Sequence, residues 1–360
     1  MVKNIKLNYN DITIVPEVVT KISSRSECNP YDDSGFLPIF ASCMSSVVSM
    51  ENNKTFNDSK IRVVIPRTYS YEERLKFLFN NNVNFVAFSL KETEALFSDG
   101  KINTPYVGSK FPIKICIDLA NGHMKSLLRL VRDIKEAHGD KVIIMTGNIA
   151  NPKAYSFYAD AGVDYVRCSV GTGSRCTSSC NVSVHYPMAS LLDELNEERK
   201  AYAHSHNGNA PTKLIADGGI SWFDDIQKAL CLGADAVMCG NLIARAEEAC
   251  GPIYYVESLE DFMEGNYSTE KWSTFIHPVR EYFGMSCKCA QVITGGDGSR
   301  TAEGISRPVP VEYPIAKWVD NMQSYLRSCM TYTNSHTIKE MQENAQVVIL
   351  GGSGDASYRK

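Results

Sequence analysis

TKLIADGGISWFDDIQKALCLGADAVMCGN, residues 212–241, reads as strand, loop, helix and second strand in succession. Its two ends are short, β-rich and non-alternating, which suits strands covered on both faces by helices. Between them, Ser221 with Asp224 three residues on forms a variant of the capping box, and Gly233 closes the helix. Similar apolar runs precede this unit at near-regular intervals: PIFAS (38–42), IRVVIP (61–66), VNFVAFSL (83–90), IKICIDLA (113–120), KVIIMTGN (141–148) and VDYVRCSVG (163–171). Helical segments separate them. In SLLRLVRDIKEAHG (126–139), Leu127, Leu130, Val131 and Ile134 fall on one stripe and Gly139 stands as a C-terminal cap. With TKLIADGG (212–219) and ADAVMCGN (234–241), these runs predict a (β/α)8 TIM barrel, an α/β fold.

No linker or charge block divides the 360 residues, which predicts one catalytic domain. Residues 249–311 break the rhythm with PIYYVESLEDF, an aromatic GNYSTEKWSTF and a Gly-rich ITGGDGSRTAEG; this reads as an irregular insertion after strand 8, the place where an active-site flap sits. Residues 312–360 read as a final helix, YPIAKWVDNMQSYLRSCM, and a tail ending near GGSGD.

A net charge of -4 gives no basic footprint for nucleic acid or an anionic membrane surface. No apolar run approaches the roughly 18 residues that span a bilayer, and the first residues lack a signal-peptide core, so a cytoplasmic chain is expected. Of the 12 cysteines, Cys43, Cys116, Cys168 and Cys239 lie in strand-like runs and read as core filler. The pairs Cys176/Cys180 and Cys287/Cys289 lack zinc-site spacing.

Polar residues just past barrel strands face the site in this fold. ADGG (216–219) and CGN (239–241) end the last two strands, where glycines let backbone N–H groups approach a phosphate; the same glycines would also serve plain tight turns. A flavin phosphate fits this pattern as well as any other. The sixth run continues into GTGSRCTSSC (171–180), whose Cys176 follows Gly171, Gly173 and Ser174. A loop of oriented N–H donors is a setting that activates a thiolate, although most cysteines are inert.

Together with LNYNDITIVP and SRSE near the start, ASCMSSV (41–47), DLANGH (118–123), TGN (146–148), VGTGSRCT (170–177), ADGGI (216–220), YFGMS (282–286) and AEGIS (302–306), this loop resembles the IMP dehydrogenase/GMP reductase family. The likeness runs from about residue 7 to about residue 340. It implies that Cys176 attacks C2 of a purine nucleotide and that hydride passes between that carbon and a nicotinamide. The dehydrogenase branch hydrolyses the adduct with an Arg-Tyr pair on a flap; SCKCAQVITGGDGSRTA holds Arg300 and no tyrosine, and the paired CBS regulatory insertion is missing after the second strand. The reductase branch needs a hydroxyl two residues past the cysteine and a glutamate, here Ser178 and Glu303. The resemblance therefore implies NADPH-dependent reductive deamination of GMP to IMP and ammonia. IMP oxidation with NAD, and a weakly catalytic nucleotide-binding protein, are the alternatives.

By the same resemblance, Asp217 holds the ribose hydroxyls, while Ser174, Gly219, Gly240, Asn241 and Tyr282 hold the phosphate. Ser42, Met44, Met285 and Ser286 frame the purine, and Asp118 and Asn121 face the nicotinamide. The carbonyls of Gly171, Gly173 and Cys176 take a monovalent cation such as K+. Bland readings stand beside these: a turn cap for Asp217, a lid carboxylate for Glu303, core packing for Tyr282 and the methionines, a plain turn for the glycines, and a structural His123. A homotetramer formed by barrel association is expected. Departures from the family pattern include Ser178 for a usual threonine, Ser179 for a common arginine, Arg67 for a lysine, and FSLK for a small turn near the cofactor.

Overall fold

The computed structural model describes residues 5–98, 112–271, 276–293 and 295–351; the end of the aromatic run (272–275) and the GGSGD tract beyond Gly351 lie outside them. Thirteen strands appear among the described residues: β1 Ile12–Val15, β2 Ile39–Ala41, β3 Arg62–Ile65, β4 Phe85–Phe88, β5 Ile113–Ile117, β6 Val142–Ile149, β7 Tyr165–Cys168, β8 Lys213–Asp217, β9 Ala236–Cys239, β10 Ile253–Val256, β11 His277–Phe283, β12 Ser306–Pro310 and β13 Gln346–Ile349. Strands β2 to β9 close into a parallel barrel, with β2 paired to both β3 and β9. The eight barrel strands coincide with the eight runs read from the sequence, β6 reaching one residue beyond its run to Ile149.

Side chains alternate across each strand, so every second residue enters the barrel. Phe40, Phe85 and Tyr165 meet edge to face at one level, with centroids 5.5–6.2 Å apart. Val64, Ala87, Cys116, Met145, Ile215 and Met238 fill the interior with them. The opposite strand faces join the helices in a larger outer core, where Leu127, Val131 and Ile134 of the helix Lys125–His138 are buried. That helix ends at Gly139, whose φ of 54° lies where a side chain is strained.

Two helix starts differ from the sequence reading. The helix Phe223–Cys231 takes Trp222 as its N-cap, so its third residue is Asp225 rather than Asp224. Asp225 accepts from the N–H groups of Ser221 and Trp222, while Asp224 faces Lys228 one turn on at 2.9 Å. The last long helix spans Ile315–Tyr332, beginning after Pro314, which supplies no N–H. The chain then forms a further helix, Ile338–Asn344, and β13, which pairs antiparallel with β1.

The insertion is not irregular. Its segments β10, β11 and β12 form a three-stranded antiparallel sheet. The two prolines of β12, Pro308 and Pro310, sit on an edge strand, where a missing N–H breaks no ladder. Arg280 of β11 is buried and donates to the carbonyls of Ala244, Ala246 and Glu247, which fastens the sheet to the chain after β9.

The FSLK departure also has a local cause. Ser89 and Glu92 cap the helix Leu90–Ser98 reciprocally, and Glu92 is also 2.5 Å from the buried Arg74. Burial pushes the Glu92 carboxyl up, but the Arg74 hydrogen bond and the Ser89 N–H outweigh it and bring it down to about 2. A carboxyl held below its ordinary value stabilises the fold at neutral pH and loses that contribution as pH falls from about 4.5 through about 2. Glu92→Gln is therefore expected to cost about 1–3 kcal/mol at pH 7. Urea midpoints of the two proteins should lie closer together at pH 4 than at pH 7.

Candidate active site

Three strands extend their inward rows past the last apolar residue with a charge. Cys116 is followed by Asp118, Tyr165 by Arg167 and Ile215 by Asp217, each two residues on. The period of two therefore brings one cation and two carboxylates together above the apolar interior. Arg167 lies 2.7 Å from Asp118 and 2.8 Å from Asp217, and Arg67 adds a contact to Asp118 at 3.1 Å. Asn148 donates to Asp217 at 2.7 Å, and the Cys43 thiol to Asp118 at 3.7 Å. Burial pushes the Asp118 carboxyl up; Arg167 and Arg67 outweigh it and hold the group below the usual carboxylate range. Burial works against the Arg167 charge too, and Asp217 leads the groups that keep it protonated.

This ionic layer floors a cavity of about 460 Å³ at the C-terminal barrel face. The loop after β7 forms one wall. Cys176 is half-buried, and its thiol donates to Ser178 Oγ at 3.3 Å. Ser178 in turn donates to Glu303 Oε2 at 2.6 Å. The loop and the segment before β12 are tied through their backbones: Thr177 N–H donates to the Glu303 carbonyl at 2.9 Å and Ile305 N–H to that of Arg175 at 3.0 Å. A proton can thus pass from sulfur to hydroxyl to carboxylate without a diffusing carrier. The barrel thiols are set differently: burial pushes Cys116 up to about 12 and raises Cys43, Cys168 and Cys239, so they remain neutral.

Ser174 and Tyr282 line the corner near the ends of β8 and β9. Tyr282 is almost wholly buried; burial pushes its hydroxyl up to about 12, with a Ser174 hydrogen bond working against that. Arg175 stacks on the Tyr282 ring at 4.7 Å. A Cβ on Gly240 would collide with the Tyr282 hydroxyl and crowd Met44 and Ser42, so only glycine lets these groups converge. Gly218 and Gly219 have φ of 131° and 72°, and Gly219 N–H donates to the Thr172 carbonyl at 3.1 Å.

Of the residues singled out in the sequence, Cys176, Ser178, Glu303, Ser42, Met44, Ser174, Asp217, Tyr282, Met285, Ser286, Asp118, Gly171 and Gly173 line this one cavity. Gly219, Gly240 and Asn241 are not among its lining residues; Gly240 lies against Tyr282, Met44 and Ser42 of the wall. Asn121 is not among the lining residues: it is exposed, and its side chain accepts from His123 N–H at 2.9 Å. His123 accepts from Ala150 N–H at 3.1 Å, a backbone-positioning role. Gly173 O already accepts from Cys176 N–H at 2.9 Å, which leaves one lone pair for a cation. Among the described residues no group of three His, Cys, Asp or Glu could hold a metal, and no helix is long and apolar enough to cross a membrane.

Sequence reasoning missed Arg167 and Asn148. The signal for Arg167 was present as a charge inside an otherwise apolar strand run. Asn148 lay in TGN, one of the motifs that carry the resemblance, but no site role was attached to it.

Comparison with known proteins is consistent with this geometry. The model of the IMP dehydrogenase / GMP reductase domain matches residues 113–357. The GMP reductase of Photobacterium profundum is 28% identical over 372 aligned positions, covering 99% of both chains. That of Vibrio vulnificus (strain YJ016) is 28% identical over 360 positions, covering 96% of this chain and 95% of its own. The GMP reductase of Buchnera aphidicola subsp. Acyrthosiphon pisum (strain Tuc7) reaches 29% over 369 positions, with the same coverage. A match across more than half of the chain, on a closed eight-stranded barrel, shows that this protein belongs to the IMP dehydrogenase / GMP reductase family of oxidoreductases.

Proposed function

We propose that this protein reductively deaminates GMP to IMP and ammonia with NADPH. The observation that carries the reading is the unbroken line from Cys176 through Ser178 to Glu303. Glu303 takes the thiol proton through Ser178 as the sulfur adds to purine C2. The same proton returns to the departing amino group, which leaves as ammonia and leaves a Cys176–C2 thioimidate. The reduced nicotinamide, when bound, supplies the hydride that C2 accepts before the C–S bond breaks and IMP is released. The net change is GMP, NADPH and two protons to IMP, ammonium and NADP.

The remaining groups position the substrate. Asp217, oriented by Arg167 and Asn148, accepts from the ribose hydroxyls. Ser174, Gly219, Gly240, Asn241 and Tyr282 surround the phosphate, and Ser42, Met44, Met285 and Ser286 the base. For the nicotinamide, the wall of Asp118, Leu119 and Ala120 offers an apolar surface ending in an ionised carboxylate, which suits an amide-bearing ring. The carbonyls of Gly171, Gly173 and Cys176 would hold a monovalent cation. Residues 249–311 would act as the flap of a single catalytic domain without a CBS insertion. We infer a cytoplasmic homotetramer, which light scattering tests.

Arg300 lines the same cavity and favours IMP oxidation as the second reading, but no tyrosine accompanies it between Met285 and Glu303. Two assays separate them. GMP with NADPH should consume reduced nicotinamide and release ammonia, whereas IMP with NAD should give little XMP. The reverse pattern, or no turnover of GMP, rejects the proposal. Glu303→Gln and Ser178→Ala are each expected to lower kcat about 10²–10⁴-fold with a smaller change in KM. An unchanged kcat in Glu303→Gln would remove the carboxylate from the chemistry.

A further inference from the structure

A second cavity, of about 750 Å³, lies outside the barrel between the helix Lys125–His138 and the chain Asn151–Tyr158. Its volume is in the range that accepts small organic ligands. Lys125, Arg132 and Lys153 line it, and none forms a salt bridge among the described residues. Arg129, also on its wall, meets Asp133 only at 3.9 Å. Phe157 presents its ring there at 61% exposure, which is large for a phenylalanine with no ring partner among the described residues. Asp133 and Glu136 share this wall, so cations outnumber carboxylates by two, and this excess around a bare aromatic face suits a ligand that joins a flat ring to phosphate.

The cavity is also wired to the catalytic pocket. The loop after β5 begins at Asp118 in the pocket and ends at Lys125 in the outer cavity; the chain around the end of β6 runs from Asn148 in the pocket to Lys153 in the outer cavity. Tyr158, on the outer wall, donates to the Gly122 carbonyl at 2.6 Å. Gly122 N–H donates to the Asn148 carbonyl at 2.9 Å, and the Asn148 side chain donates to Asp217 at 2.7 Å. A Cβ at Gly122 would overlap both Tyr158 and the Asn148 carbonyl, so this junction has no slack. These contacts form a continuous line from Tyr158, on the helix Ala154–Asp160, to the carboxylate assigned to the substrate ribose.

We propose that the groove bounded by Lys125, Arg132, Lys153 and Phe157 is a second, regulatory site for a nucleotide-type anion, coupled to the catalytic pocket through Tyr158, Gly122, Asn148 and Asp217. The coupling rests on the assignment of Asp217 to the substrate; the binding does not. Phe157 stacks on the base and the cations hold the phosphates. The ligand is a free nucleotide.

ADP is the probe, titrated calorimetrically into the full chain already saturated with GMP. The unmodified protein and Cys176→Ala should bind it alike. Arg132→Gln/Lys153→Gln and Phe157→Ala should each weaken it about tenfold or more. These side chains are exposed, and an unchanged melting temperature verifies folding. Equal ADP binding by all four proteins, or none at millimolar ADP, overturns the site. ADP should also shift the directly measured GMP affinity, and Arg132→Gln/Lys153→Gln should abolish that shift; an unshifted affinity overturns the coupling. Competition between ADP and NADPH would make the groove part of the cofactor site and overturn the regulatory reading, whereas non-competitive binding supports it. Because binding is read without turnover, groove-dependent ADP binding in a protein inactive on GMP would sink the reductase assignment alone.

Discussion

Cys176→Ala is expected to lose turnover by about four to six orders of magnitude while still binding GMP, since the proposed covalent route without its nucleophile would fall back on binding and polar contacts alone. No other thiol can replace it. Cys116 and Cys43 lie close to the floor of the pocket, but burial holds both as neutral thiols beneath an ionic layer. Cys180 sits four residues on, exposed, with its sulfur near Ser179 rather than in the cavity wall. Cys180→Ala should accordingly keep near-full activity. Ammonia release measured alongside GMP binding separates the two variants. More than about one per cent residual turnover in Cys176→Ala would mean that the sulfur is not the nucleophile.

Arg167→Met should be the most destabilising single change at the site, at about 3–5 kcal/mol, because it leaves two carboxylates buried with their main counter-charge removed. Arg67 touches only Asp118, so Asp217 would keep nothing stronger than the Asn148 amide. The Asp118 carboxyl would then lose the main charge that holds it below the usual carboxylate range, and activity would fall with stability. Arg167→Met combined with Asp118→Asn and Asp217→Asn removes the whole charge cluster and should regain a large part of the lost stability without regaining activity. Urea unfolding of the single and triple variants measures this. Equal losses in both would show that packing of the arginine stem, rather than its charge, holds the barrel mouth.

The barrel was legible because its cause is local. Eight short apolar runs must each be covered on both faces, and helices with one apolar stripe supply the cover. The cysteine loop and the glycine-rich strand ends were legible for a similar reason: their residue types are costly or unusual except where the backbone must turn tightly or meet a ligand. The sheet of β10, β11 and β12 was not, since its prolines read as breakers until the pairing shows that two of them occupy an edge. The pairing of β1 with β13 joins segments more than 330 residues apart, and no local pattern encodes such a register.

By itself, then, the order of residues determined how many barrel strands form, which of their ends carry polar groups, and which cysteine stands in a turn rather than in a core. Only the tertiary structure decided that Arg167 would sit between Asp118 and Asp217, that Glu303 would come within 2.6 Å of Ser178 across 125 positions, and that Asn121 would not line the cavity. The physical reason is that helix and strand periods act over a few residues. A charge pair between barrel strand ends depends on closure of the whole sheet, and the Ser178–Glu303 contact on how the inserted sheet docks beside it.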